Sequence, residues 1–176
     1  MNSTYLITGN IILLGAATLI LGPRFYKNYR RKIDTANAHM IQNVSSGKVI
    51  RPRDAQITDG TPIIQYTPQN WECTTWQFID LGNSEYLFKD LYTQKSFQPV
   101  STPVDGVELE QQAIGGNPLQ HWIIHKLADE AISIQLKGTN LFITSPDNKV
   151  NSRLQLRPYT GSSTQQWHLK EQRPIV

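Results

Sequence analysis

Three tryptophans at a fixed spacing restrict this chain more than any other feature. Trp76, Trp122 and Trp167 are separated by 46 and 45 residues. Ten residues before each stand Tyr66, Gln112 and Arg157, and three before those Ile63, Leu109 and Leu154, so the interval recurs with apolar residues in step. "TDGTP" at 58–62 aligns with "VDGVE" at 104–108, and "VNSR" at 150–153 follows with one residue fewer; "NVSSGK" at 43–48 aligns with "DLYTQK" at 90–95. A repeat of this length makes each unit a supersecondary structure that buries its apolar face only against its neighbours. Short apolar runs such as "TPIIQY", "EYLFKDL", "AISIQL" and "NLFITS" lie between turn-forming Ser-Gly, Asp-Gly, Gly-Gly-Asn and Pro-Asp-Asn stretches, and read as strands. No sustained helical period appears after residue 37. A propeller has this repeat length but typically about 4 to 8 blades. Three units of about four strands each are expected to close as an all-β trefoil over residues 38–172, with a pseudo-threefold repeat of about 45 residues.

The N-terminal segment does not share this pattern. Residues 5–22, "YLITGNIILLGAATLILG", carry no charged side chain, and as a helix they reach roughly 27 Å, close to the thickness of bilayer hydrocarbon. One transmembrane α-helix is therefore expected, with residues 1–23 as a membrane anchor in contact with lipid. A cleaved signal would place positive charge before the apolar run, whereas "MNST" precedes it and "PRFYKNYRRK" follows. A buried core helix is the other alternative, kept open by Thr8, Asn10 and Thr18. In lipid, Asn10 calls for a partner on another protein helix.

Residues 24–37 form a basic juxtamembrane linker containing Arg24, Lys27, Arg30, Arg31 and Lys32. Taking these five from the 17 basic residues leaves 12 against 14 acidic ones, so the net charge of +3 is local and no nucleic-acid partner is indicated. Clustered Lys and Arg beside a span hold that end in the cytoplasm. This predicts the N-terminus outside and the trefoil on the cytoplasmic side, with the basic residues against anionic headgroups. Cys73, the single cysteine, excludes an internal disulfide framework.

The pieces "QNVSSGKVI", "TDGTPIIQY" and "TTWQF", then "KDLYTQKSF" and "VDGVELEQQAIGGNPLQHWII", then "GTNLFIT" and "VNSRLQLRPYTGSSTQQWHL", taken in register, resemble the ricin B-type β-trefoil lectins over about residues 38–170. The repeated Gln-x-Trp element is a core device: strand alternation puts Gln165 and Trp167 on one face, so Trp76, Trp122 and Trp167 fill the centre while the glutamine serves backbone groups of a turn. The resemblance implies a sugar site in each unit, made of an aspartate after the first turn, an aromatic platform, and an asparagine before Gln-x-Trp. The matching positions are Arg51, Tyr66 and Cys73 in the first unit, Gln98, Gln112 and Leu119 in the second, and Ile143, Arg157 and Thr164 in the third. No unit keeps the triad. A hydroxyl-binding site loses heavily when one side of a polar pair is missing, so ordinary family-type sugar binding is not expected in units two and three. Only the first keeps an aromatic platform, where Tyr66 and the additional Trp71 could present two rings beside Arg51, a cation suited to an acidic sugar, a carboxylate or a protein partner.

Other chemistry has no constellation to support it. His121 and His125 in "HWIIH" have helical metal-pair spacing, but on a strand they lie about 13 Å apart, too far for one zinc. No phosphate-binding glycine loop, Gly-x-Ser-x-Gly or Cys-x-x-Cys occurs. No enzyme, cofactor or metal site is expected. The function expected is that of a membrane-tethered, non-catalytic module that binds protein partners as an accessory subunit of a membrane assembly. The alternatives are an anchored lectin that takes a glycan at Arg51, Tyr66 and Trp71, and a secreted lectin module.

Overall fold

A computed structural model of the chain describes Thr35 and residues 37–172. The expected span, residues 5–22, and the basic residues Arg24, Lys27, Arg30, Arg31 and Lys32 lie outside the described residues. Among the described residues no helix is long and apolar enough to cross a membrane.

The described residues form twelve short strands: β1 (Ala38–Asn43), β2 (Val49–Pro52), β3 (Ile63–Tyr66), β4 (Trp76–Gly82), β5 (Glu85–Asp90), β6 (Ser96–Pro99), β7 (Leu109–Gln112), β8 (Trp122–Lys126), β9 (Ile132–Leu136), β10 (Leu141–Thr144), β11 (Gln155–Pro158) and β12 (Trp167–Glu171). β1 pairs with β12 and β4, β5 with β4 and β8, and β9 with β8 and β12, all antiparallel. Six strands therefore close into a barrel, which removes the exposed edges an open sheet would present. The other six form the hairpins β2–β3, β6–β7 and β10–β11. Single bridges Pro62 to Glu110, Glu108 to Gln155 and Ile64 to Arg153 tie these hairpins into a ring. Each sequence unit thus gives its first and fourth strands to the barrel and its second and third to the cap.

Turn chemistry explains the punctuation. Gly60 (φ +80°) and Gly106 (φ +86°) take the left-handed conformation in the aligned Asp-Gly pairs, and Asn151 (φ +69°) does so in the third unit, where the segment is one residue shorter. Inside, Trp76, Trp122 and Trp167 are fully buried. Phe97 joins two of them, with ring centroids 5.0 Å from both Trp76 and Trp122. Trp76 Nε1 donates to Ile50 O at 3.0 Å and Trp167 Nε1 to Ile143 O at 3.3 Å, equivalent carbonyls of the first and third units.

The Gln-x-Trp element differs locally from the strand expected for it. Each tryptophan is the first residue of its strand, and a single 3₁₀ turn precedes it: Glu72–Thr74, Pro118–Gln120 and Ser163–Gln165. The turn, not strand alternation, aims the glutamine. Gln165 Nε2 donates to Pro158 O at 2.9 Å while its Oε1 accepts from Thr160 N at 2.7 Å, so one amide staples the loop between β11 and β12. Gln120 does the same through Ala113 O at 2.9 Å, and the shorter Thr74 reaches Gln69 O at 2.7 Å.

Candidate functional site

Arg51 stands in β2 with Ile50 turned to the core on the other face of the strand. Val49 pairs with Tyr66 across the hairpin, so Arg51 and Tyr66 are diagonal neighbours on one face. Trp71 enters from the loop before β4. The structure brings these three side chains together: the guanidinium carbon of Arg51 lies 4.6 Å from the Tyr66 ring centroid and 5.8 Å from that of Trp71, and the two rings are 6.3 Å apart. Arg51 is only 6% exposed, and its Nε donates to Pro52 O at 3.0 Å. It forms no ion pair among the described residues.

Beside this cluster is a cavity of about 280 Å³ lined by Arg51, Ala55, Trp71, Cys73 and Tyr92. Tyr66 is not in the lining: its ring carries the arginine, so the aromatic surface offered to a ligand belongs to Trp71 and Tyr92. Tyr92 is absent from the sequence-based set because it belongs to the second unit, in the turn after β5. The alignment of "DLYTQK" with "NVSSGK" identifies that turn but not its position beside β2. Burial pushes the Cys73 thiol above its ordinary range, opposed in part by the nearby Arg51 charge.

Asp90 lies under the site. Its Oδ1 accepts from Tyr92 N at 3.1 Å and Thr93 N at 2.7 Å, shaping the turn that presents Tyr92. Its Oδ2 is buried with no hydrogen-bond partner. Burial pushes its pKa up to about 7, against the pull of the Thr93 and Tyr92 hydrogen bonds and the Arg51 charge.

The equivalent positions of the other units are occupied by internal contacts. In the second, Gln98 Oε1 accepts from Asn117 Nδ2 at 2.9 Å and from Gln120 Nε2 at 3.3 Å, Gln112 Nε2 donates to Glu110 Oε1 at 2.8 Å, and Leu119 packs on the core. In the third, the strand register gives the place of Arg51 to Thr144 rather than to Ile143, which matches Ile50 and lies in the core. Thr144 Oγ1 donates to Phe142 O at 3.0 Å and accepts from Gln165 Nε2 at 3.1 Å, Arg157 donates to Asp105 Oδ1 at 3.3 Å and Gln155 Oε1 at 2.9 Å, and Thr164 bonds Ser162 Oγ at 3.1 Å. His121 and His125 go separate ways, the first to Glu85 Oε1 and the second to Gln135 Oε1, each at 2.6 Å. Among the described residues no three His, Cys, Asp or Glu side chains gather to hold a metal ion. A second cavity, of about 300 Å³, draws its lining from all six barrel strands, including His39, Phe78, Tyr86, Ile124, Ile132 and Leu169.

No protein-family model and no curated protein matches the sequence. Solved structures do. The designed threefold-symmetric protein ThreeFoil superposes with a TM-score of 0.74 at 21% identity, over 76% of this chain and 98% of that one. The ricin B-like lectin of Macrolepiota procera, solved in complex with lactose, gives 0.67 at 20% identity over 76% and 94%. An exo-β-1,3-galactanase from Clostridium thermocellum gives 0.74 at 20% identity over 77% of this chain, which spans 30% of that enzyme. At such identities the likeness speaks for the fold alone: the described part of this chain has the β-trefoil fold, which the ricin B-like lectin of Macrolepiota procera also has.

Proposed function

We infer that this chain is a non-catalytic, carbohydrate-binding-like module with one ligand site, in its first repeat, held at a membrane by residues 5–22. The observation that carries the reading is the contrast between repeats. The first keeps a buried cation with two rings beside an open cavity, while the corresponding polar groups of the second and third bond one another. The likeness to lectins, one of them solved with lactose, supports a sugar-sized ligand. Probing a glycan array with the full-length chain in detergent tests it. Binding is expected to vanish in Trp71→Ala and to survive in Gln112→Ala and Arg157→Ala; silence of the wild type, or binding indifferent to Trp71, refutes the single site. Membranes washed at alkaline pH are expected to retain the chain, and its release into the wash would refute the tether.

A second role, docking on a protein partner within a membrane assembly, is favoured by the hairpin tips. Ile57, Val104 and Val150 are exposed aliphatics in the loops of the three cap hairpins, and apolar knobs of this kind suit a protein surface. Replacing all three by Ser is expected to release any co-purifying partner without loss of fold; retention of the partner would remove this role.

A further inference from the structure

The ligand site described above contains a charge without a counter-ion. A guanidinium has five N–H donors in a planar fork; in Arg51 the Nε donor goes to Pro52 O, and no other hydrogen bond or ion pair is made among the described residues. Stacking on Tyr66 and Trp71 offsets part of the cost of burial but satisfies none of the remaining donors, and a buried charge lacking a partner is expensive to keep. The buried carboxyl that feels this charge, Asp90, is an incomplete answer. Its own burial holds it partly protonated near neutral pH, and its free oxygen makes neither a hydrogen bond nor an ion pair with the arginine.

The rest of the cavity tells what surrounds the missing anion. Apart from Arg51, its walls are Ala55, Trp71, Cys73 and Tyr92, with no acidic group among them. At about 280 Å³ it stands at the small end of ligand pockets and takes a single ring rather than an extended chain. Two aromatic side chains next to a cation favour a ligand with an apolar C–H face on one side and a planar anion on the other.

We propose that the first-repeat site binds a carboxylate carried on a sugar-sized ring, the carboxylate pairing with the free edge of the Arg51 guanidinium and the ring lying against Trp71 and Tyr92. This rests on the single-site reading above and sharpens it from carbohydrate-like to acidic. An arginine replaces the acid that would hold neutral hydroxyls, so the selectivity is the reverse of a neutral-sugar site: an uncharged ring of the same shape leaves the guanidinium unpaired.

The tryptophans provide the readout, since Trp76, Trp122 and Trp167 are fully buried and Trp71 alone of the four is 36% exposed. Acrylamide quenching of the full-length chain in detergent is therefore reported by Trp71, and ligands that cover it protect it. Glucuronate is expected to protect with an affinity about tenfold or more above that of glucose or of the uncharged methyl ester of glucuronate, the difference made by a charge-assisted bidentate pair. Arg51→Lys keeps the charge but loses the fork, and is expected to weaken glucuronate about tenfold with glucose unchanged. Equal protection by glucuronate and glucose overturns the carboxylate inference and leaves the binding site standing. No protection by any of the three overturns both. Acetate protecting as well as glucuronate overturns the requirement for a ring. Should Arg51→Lys fail to fold, the wild-type comparison of acid, ester and glucose still decides.

Discussion

Asn43 and Asp90 occupy corresponding positions in the first and second units. Asn43 N bonds Lys48 O and Asp90 N bonds Lys95 O, while Val44 N bonds Gln166 O and Leu91 N bonds Thr75 O, so the two turns superimpose bond for bond. Both side chains accept from the next turn through Oδ1. They differ at the other atom. Asn43 Nδ2 donates to the carbonyls of Thr164 at 3.0 Å and Gln166 at 3.2 Å, whereas Asp90 has an oxygen, Oδ2, in place of that donor, buried and without a hydrogen-bond partner. Burial of a carboxylate, one oxygen of which has no donor, favours the protonated acid, and Asp90 is displaced in that sense, from 3.8 to about 7. A native proton that the unfolded chain has already lost makes stability greatest below about pH 4. Stability then falls between there and about pH 7, by up to roughly 1.4 kcal/mol per unit, and levels off above. Asp90→Asn restores the donor and removes the titration. Urea unfolding is expected to show the variant more stable by about 2 kcal/mol at pH 8, with the wild-type slope between pH 4 and 7 abolished; a slope that persists would mean another group carries it.

At the scale of elements, the cap is held by a pair of glutamines that reach from one unit into the next. Gln65, on β3, donates to Asp147 O at 2.6 Å and Lys149 O at 2.9 Å in the hairpin loop of the third unit, and accepts from Ser46 Oγ and Ser145 Oγ. Gln111, on β7, donates to Gln56 O and Thr58 O, both at 3.0 Å, in the loop of the first. Both are fully buried, so truncating either leaves loop carbonyls without donors. Gln65→Ala is expected to cost roughly 2–4 kcal/mol and to raise hydrogen exchange at residues 145–152 beyond the rest of the molecule; uniform exchange would show the loop to be held by other contacts.

The position of these glutamines, eleven residues before Trp76 and Trp122, is visible in the repeat, yet the third unit has Leu156 there and the pattern lapses. Their role could not be read because it depends on which loop meets which strand. By contrast, the tryptophan spacing and the Asp-Gly turns, set by local backbone and burial, were legible directly. The turn at Ser163–Gln165 lies between these cases: the side-chain pairing of Gln and Trp was foreseeable, the 3₁₀ geometry that produces it was not.

For the whole molecule, internal symmetry and function pull apart. Closure of the barrel requires three similar units, and all three supply their tryptophan, their two barrel strands and their cap hairpin. A ligand site requires only one, and here the second and third units have turned the corresponding positions into core and internal polar contacts. The sequence could show that their triads were lost. It could not show that Arg51 would lie against Tyr66 and leave Trp71 and Tyr92 to face the cavity, because Tyr92 comes from another unit. The single site in the first repeat is tested most directly by backbone amide NMR of the full-length chain in detergent, titrated with glucuronate. Shifts are expected to saturate at one ligand per chain and to cluster at residues 49–55, 66–73 and 90–93. Comparable shifts at 96–99 and 109–119, or at 141–144 and 155–164, would contradict it.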